Sequence, residues 1–334
     1  MATIKDVARL AGVSPSTASR AMHNSSLISE STKKKVRAAM AELDYSPNFA
    51  AQNLANKSSN TIGVILPANE DSVGDNPFFI QIIQGLAAIC NAHDYMVSVA
   101  SGQNNQELIK NIETMIKRGN ISRFVFVYSK ANDPVLHYVK AQKQVQVVII
   151  GTPYEDKDEM LYVDNDNQKA GYDAAGYLFE KGCKNILYVY TDLDENVQND
   201  RFLGYKKAVK AHKGQTFALS LAFNNEVQRD KAIKDYFKAY PEIDAIIACD
   251  DILALQVRYS CESACLDDSI ALMGFNNSAL GRVMHPTLTS VEIFPRFLGS
   301  EAAALAINAD DDKLKLDSNY VIVPHKVVER ESTK

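Results

Sequence analysis

The 334 residues include 36 Lys and Arg against 41 Asp and Glu, with 46% hydrophobic and 23% charged residues, ordinary values for a globular chain of two or three domains. No apolar run approaches the ~20 residues of a bilayer-crossing helix and no signal-peptide segment opens the chain, so the expectation is a cytoplasmic protein without a membrane partner. Five scattered cysteines read as reduced thiols, and Cys261 and Cys265 lack further ligands at zinc spacing, so neither a metal nor a cofactor is expected.

The net charge of −5 is unevenly divided. Residues 1–57 hold eight Lys/Arg and four Asp/Glu, or +4, which leaves −9 for residues 58–334. A basic module on an acidic body suggests a nucleic-acid head joined to a second function. Thr3 to Asp6 has capping-box spacing, and Val7, Ala8, Leu10 and Ala11 give the following helix a short apolar face. Gly12 ends that helix and Val13 plugs the turn. Ser14-Pro15 restarts a helix, with Ser14 as N-cap and Pro15 where its missing N–H is no loss. The new helix runs to about Met22, and its outward residues Ser16, Thr17, Ser19 and Arg20 are small, hydroxylated or basic. Such a surface can enter a major groove and meet base edges and phosphates. A third helix, capped near Ser29 or Ser31, turns Val36, Met40 and Leu43 inward and Lys33, Lys34, Lys35 and Arg37 outward. Together these form a helix-turn-helix; a plain three-helix bundle is the alternative.

The phrases 3–8, 11–20 and Tyr45-Ser46-Pro47-Asn48 resemble the lactose-repressor/galactose-repressor family of bacterial transcription regulators, and the likeness extends more loosely along the chain. The resemblance implies DNA contacts by Thr3, Ser14, Pro15, Ser16, Thr17, Ser19, Arg20, Asn24, Tyr45 and Asn48. It also implies a hinge helix formed on operator DNA over 48–56, with Leu54 wedging into the central minor-groove step and Ala51 packing beside it. Ala55 stands where some relatives carry a basic residue. Read without the family, 48–56 is a helix-compatible linker with an apolar edge.

From Thr61 short β-rich runs alternate with helical stretches. Strands are expected at 62–66, 96–100, 124–127 and 145–150, and again at 186–190, 217–223, 245–248 and 271–275. The helices between them are expected at 79–92, 106–117 and 134–141, then at 168–181, 202–210, 227–239 and 252–264. This alternation predicts two doubly wound parallel-sheet subdomains behind an all-α head, and the resemblance implies a periplasmic-binding-protein-like body with a cleft between them. The expected division is a head at 1–46, a hinge and linker at 47–60, a first subdomain at 61–160 with about 290–320, and a second at 161–289 with about 321–334. One last strand is expected over 320–328.

Cleft candidates sit at strand ends. Phe78 and Phe79 suit the apolar face of a sugar ring, although phenylalanines at such a place are more often core. Arg201 matches the family's effector arginine; its alternative is a surface ion pair with Asp200. Asp250 and Asn276 follow apolar strands, with Asn276 where many relatives carry Asp. Tyr128 and Tyr190 also end strands. Asn76 to Phe79, 163–167, 181–184 and 200–205 resemble the family's maltose-responsive branch in Gram-positive bacteria, which implies maltose or a malto-oligosaccharide as effector. After Arg330 there is no leucine-heptad tail, so a homodimer on a pseudo-palindromic, CG-centred operator is expected. The alternative within the family is a co-repressed carbon catabolite regulator that needs a phosphorylated phosphocarrier protein. No catalytic motif is found, and an enzyme is not expected.

Overall fold

The computed structural model describes residues 2–22, 24–45, 59–68, 76–222, 225–266, 269–308 and 318–334. The chain divides into two compact units, Met1–Ser59 and Asn60–Lys334.

In the first unit, helices α1 (Ile4–Ala11), α2 (Pro15–Met22) and α3 (Glu30–Glu42) close on a core of Val7, Ala8, Ala18, Ala21, Val36 and Ala39. At the start of α1 the Asp6 carboxylate accepts from the Thr3 backbone N–H at 3.0 Å and from its hydroxyl at 2.7 Å. Gly12 takes the left-handed conformation (φ 67°) that ends α1. Ser29 caps α3, accepting from the Thr32 N–H. One expectation fails here: Lys33 is 5% exposed, its stem covered by the helices and its ammonium 2.7 Å from Glu30, whereas Lys34, Lys35 and Arg37 do face outward.

The second unit holds two six-stranded sheets. Strands β1 (Thr61–Ile65), β2 (Met96–Ala100), β3 (Arg123–Phe126), β4 (Gln146–Ile150) and β5 (Leu161–Asn165) belong to the first. It is completed by β11 (Tyr320–Val323), in the all-parallel order β11-β5-β4-β3-β1-β2. The second has the order β12-β10-β9-β8-β6-β7, built from β6 (Ile186–Tyr190), β7 (Phe217–Ser220), β8 (Ala245–Ala248), β9 (Ala271–Phe275), β10 (Thr289–Glu292) and β12 (Lys326–Val328). Among the described strands of this sheet, only the β10–β12 pair is antiparallel. Most inner strands of both sheets are apolar and buried on both faces, as parallel strands covered by helices must be, while β2, β7, β11 and β12 are partly exposed.

The helices are α4 (Pro77–Ala92), α5 (Asn105–Gly119), α6 (Pro134–Lys140), α7 (Asn167–Glu180), α8 (Asn196–Ala211), α9 (Glu226–Ala239), α10 (Asp251–Ser263), α11 (Ala279–Val283) and α12 (Pro295–Asn308). Several begin with a polar cap, in two cases (Asp166 and Asp250) just beyond a strand: Asn76, Asn104, Asp133, Asp166 and Asp250 each accept a backbone N–H of the first turn. Polar side chains are thereby collected along the C-terminal edges of both sheets.

Three crossings join the halves: after β5, after β10 and after β11. They correct the expected division. β5 and β11 belong to the first sheet, not the second subdomain, while β10 belongs to the second; only from Pro295 does the chain rejoin the first half, where α12 packs on α4. The single strand expected over 320–328 is two, β11 and β12, on different sheets. Pro324, which lacks a ladder donor, separates them.

Candidate functional site

In the head, Ala18 and Ala21 bury one side of α2, leaving Ser14, Pro15, Ser16 and Arg20 exposed and Thr17 and Ser19 half-buried. Ser14 Oγ accepts from the Thr17 N–H at 3.1 Å and lies 2.9 and 2.8 Å from the hydroxyls of Ser16 and Thr17, so the helix start presents a linked hydroxyl cluster. Thr3 is exposed. Asn24 takes a left-handed turn (φ 54°) and its side-chain carbonyl accepts from Arg37 Nη2 at 3.3 Å. Tyr45 is half-buried against the head core. Asn48, Ala51 and Leu54 lie outside the described residues.

In the body, the Asn76 carboxamide accepts from the Phe78 N–H at 3.0 Å and sets the first turn of α4. Phe78 packs against the cores of both halves, Phe79 against the first alone; their rings meet edge to face at 5.3 Å. Arg201, on α8, is only 4% exposed. Its Nε donates to Asn167 Oδ1 at 3.0 Å, its Nη1 donates to the Cys249 carbonyl at 2.9 Å, and the guanidinium lies 4.3 Å from the Phe275 ring centroid. Burial lowers its pKa, opposed by the surrounding Tyr188, Cys249, Asp164 and Asp250. The alternative ion pair with Asp200 is not formed: Asp200 accepts from Gln168 Nε2 at 2.8 Å.

The position of Arg201 follows from glycines. A Cβ on Gly171 of α7 would lie 2.0 Å from the Arg201 carbonyl oxygen, and one on Gly204 of α8 would lie 1.9 Å from that of Gln168. Only hydrogen at both places lets α7 and α8 approach this closely.

Asp250 caps α10, accepting from the Leu253 N–H at 2.7 Å, and burial raises its pKa. Asn276 is buried at φ 94°, directly after Phe275, and its N–H donates to the Val291 carbonyl at 2.9 Å. Arg201, Asp250 and Asn276 are thus gathered around the ends of β8 and β9. The tyrosines are placed differently. Tyr190 packs with Tyr188 and Phe202 in the second half, at 6.4 and 5.9 Å between centroids. Tyr128 packs on Phe126 at 5.7 Å in the first half, and its pKa is raised by burial and by Asp133.

Several polar residues of this region carried no individual role in the sequence reading. Asp164 Oδ2 accepts from the N–H and hydroxyl of Thr152 at 2.7 and 2.8 Å. Its Oδ1 accepts from Asn167 Nδ2 at 2.8 Å. Asn165 Nδ2 donates to the carbonyls of Ile293 and Val323 at 3.1 and 2.9 Å, tying the three crossings together. Gln198 Oε1 accepts from the N–H groups of Thr191 and Asp192 at 3.0 and 3.2 Å and shapes the loop after β6. That loop and α8 reach the first half: Asn196 Nδ2 donates to the Thr152 carbonyl at 2.8 Å, and the Tyr154 hydroxyl donates to that of Asp194. The signal available for the first three was 163–167, a dense run of Asp and Asn at a strand end. A cavity of about 530 Å³ is lined in part by Thr152, Asn165, Asn167, Gln168 and Asp200; none of the predicted effector residues lines it.

A model of bacterial regulatory proteins of the lacI family matches residues 3–48, and a model of periplasmic binding protein-like domains matches residues 175–333. The HTH-type transcriptional regulator MalR of Streptococcus pneumoniae is 34% identical over 334 residues, 98% of this chain and 99% of that protein. Catabolite control protein A of Priestia megaterium is 28% identical over 338 residues, covering 99% of each. A solved probable maltose operon repressor from Staphylococcus superposes with TM-score 0.73 at 25% identity, over 83% of this chain and 99% of that one. With a helix-turn-helix head, a two-sheet body and a full-length relative one-third identical, the chain belongs to the lacI family of bacterial transcription regulators.

Proposed function

We propose that this protein is a cytoplasmic, dimeric repressor of maltose or maltodextrin utilisation genes. The exposed face of α2, from Ser14 to Arg20, reads a pseudo-palindromic operator, while Leu54 and Ala51 act at its CG centre. A malto-sugar binds between the two halves of the body and releases the DNA. The observation that carries the sugar site is the buried Arg201 guanidinium, held on two sides and stacked on Phe275 in the second half, and linked through Asn167 to Asp164 of the first. A fixed fork of donors suits adjacent hydroxyls. Phe78, which touches both cores, supplies an apolar surface beside it. Both halves expose large apolar side chains, among them Ile80 and Met96 in the first and Tyr259 and Val283 in the second, which a second copy would cover. The regulator lacks enzymatic activity in this reading. Similarity favours the maltose reading over the co-repressed one, since the MalR relative is 34% identical and the catabolite control protein 28%.

The test is fluorescence anisotropy on a CG-centred duplex, titrated with maltose, maltotriose and galactose. Salt-sensitive binding released by the malto-sugars alone is the expected result. Binding that appears only with a phosphorylated phosphocarrier protein would replace this reading with the co-repressed one.

A further inference from the structure

The hydrogen bonds between Thr152 and Arg201 have a direction. Arg201 Nε donates to Asn167 Oδ1 (3.0 Å), Asn167 Nδ2 donates to Asp164 Oδ1 (2.8 Å), and the Thr152 N–H and hydroxyl donate to Asp164 Oδ2 (2.7 and 2.8 Å). Donors point at Asp164 from both ends, and the Asn165 N–H adds one more at 2.7 Å. Arg201, Asn167 and Asp164 are 4%, 3% and 7% exposed, so water does not readily substitute for a lost partner.

We propose that Asp164 and Asn167 are positioning residues for the effector arginine, and that they carry its state across the halves to Thr152. This rests on the reading of Arg201 as an effector contact. An arginine has donors only, so Asn167 must turn its carbonyl toward it, which leaves its NH₂ facing Asp164. The group at 164 must then accept from Asn167 on one side and from Thr152 on the other. A carboxylate does both; a carboxamide has one carbonyl and does not. If Asn stood at 164 with its carbonyl toward Thr152, its NH₂ would meet that of Asn167. Flipping Asn167 relieves this clash only by turning an NH₂ toward Arg201 Nε. The mismatch moves along the chain and does not vanish.

The two ends of the chain lie on different halves. Arg201 is fixed to the end of β8 of the second half through the carbonyl of Cys249, the residue that follows the strand. Thr152 follows β4 of the first half, and its carbonyl accepts from Ser129 of that half (2.7 Å) and from Asn196 of the other (2.8 Å). A sugar that shifts the guanidinium therefore pulls on a contact that joins the halves, and coupling of this kind needs only that the two arrangements bind sugar unequally.

The experiment uses the full-length protein and the variants Asp164→Asn, Asn167→Ala, Thr152→Val and Arg201→Ala. Maltose affinity is measured by calorimetry, and operator affinity by anisotropy with and without maltose. Expected for Asn167→Ala is at least a tenfold weaker maltose affinity. For Asp164→Asn, the maltose-induced change in operator affinity falls about tenfold, more than maltose binding itself does. Thr152→Val, which keeps the backbone N–H, gives the same pattern more weakly. Unchanged maltose binding in Asn167→Ala, or undiminished coupling in Asp164→Asn, overturns the proposal. If Arg201→Ala binds maltose as the parent does, the effector-site reading itself has failed. A double-mutant cycle of Asp164→Asn with Arg201→Ala in urea unfolding reports on the linkage without any sugar: non-additive losses are expected, and additive ones overturn it.

Discussion

The proposed DNA face of the head and the proposed sugar site of the body are opposite in exposure. On α2 the outward polar groups are exposed, standing on a thin floor of Ala18 and Ala21. In the body Arg201 is 4% exposed and Asn276 9%, each held by backbone or side-chain partners. The difference follows from the partners. DNA is a large, charged surface that a helix must approach from outside, and its phosphates act through solvent. A sugar is small and neutral, and its hydroxyls are distinguished only where donors and acceptors are fixed and water is displaced.

Arg201→Ala gives the largest separation of the two sites. It should weaken maltose binding by roughly 10–100-fold, the range for losing hydrogen bonds to a charged group, and leave operator affinity without sugar unchanged in anisotropy. The converse is Arg20→Ala, which should cost about 1–3 kcal/mol of operator binding if Arg20 meets a base edge. If it meets only a phosphate, the slope of log affinity against log salt should fall by about one; maltose binding by calorimetry is unaffected either way.

A finer cut is Gly171→Ala. The new methyl would sit 2.0 Å from the Arg201 carbonyl oxygen, so α7 and α8 must separate. A loss of about 1–3 kcal/mol in urea unfolding is expected, together with weaker maltose binding and an undisturbed head. Parent-like stability would show that the helix contact is not tight.

The smallest effect concerns Asp251, 1% exposed, which accepts from the Ser290 hydroxyl and the Ser278 N–H at 2.6 Å each. Burial raises its pKa to about 6 from 3.8. The folded state then holds more protons than the unfolded one between those values, so stability falls as pH rises from 4 to 6 and levels above. Asp251→Asn should flatten this decline by about 1–3 kcal/mol, measured by urea unfolding at several pH values. A parallel decline in both proteins would mean that other groups cause it.

Much of the head was legible because its determinants are local. The Gly12 turn, the Ser14-Pro15 start and the Ser29 cap each act within a few residues, and all three form as expected. Lys33 was misread because a lysine stem can lie in a core while its ammonium reaches Glu30. In the body most strands and helices were legible from alternation, but β5, β10, α11 and α12 were not. β5 opens with Leu161-Tyr162-Val163 and then turns polar at Asp164-Asn165, so it reads as a loop motif. β10, Thr289-Ser290-Val291-Glu292, has two hydroxyl residues that pair inside the fold, Thr289 with Thr333 and Ser290 with Asp251.

Residue pattern by itself determined the helix-turn-helix, the alternation of strands and helices, and the strand-end positions of Asp250 and Asn276, while Arg201, on α8, was singled out by the family resemblance. These depend on neighbours within one turn or one strand, or on a parallel sheet presenting its strand ends at one edge. Tertiary structure alone decided which sheet β5, β11 and β12 join, and that Asn167 rather than Asp200 holds Arg201. Those choices depend on partners far apart in the chain: Asn165 meets Ile293 and Val323, and Arg201 meets Asn167 and Cys249. Burial leaves each such donor needing an acceptor, and only the folded chain brings one within reach.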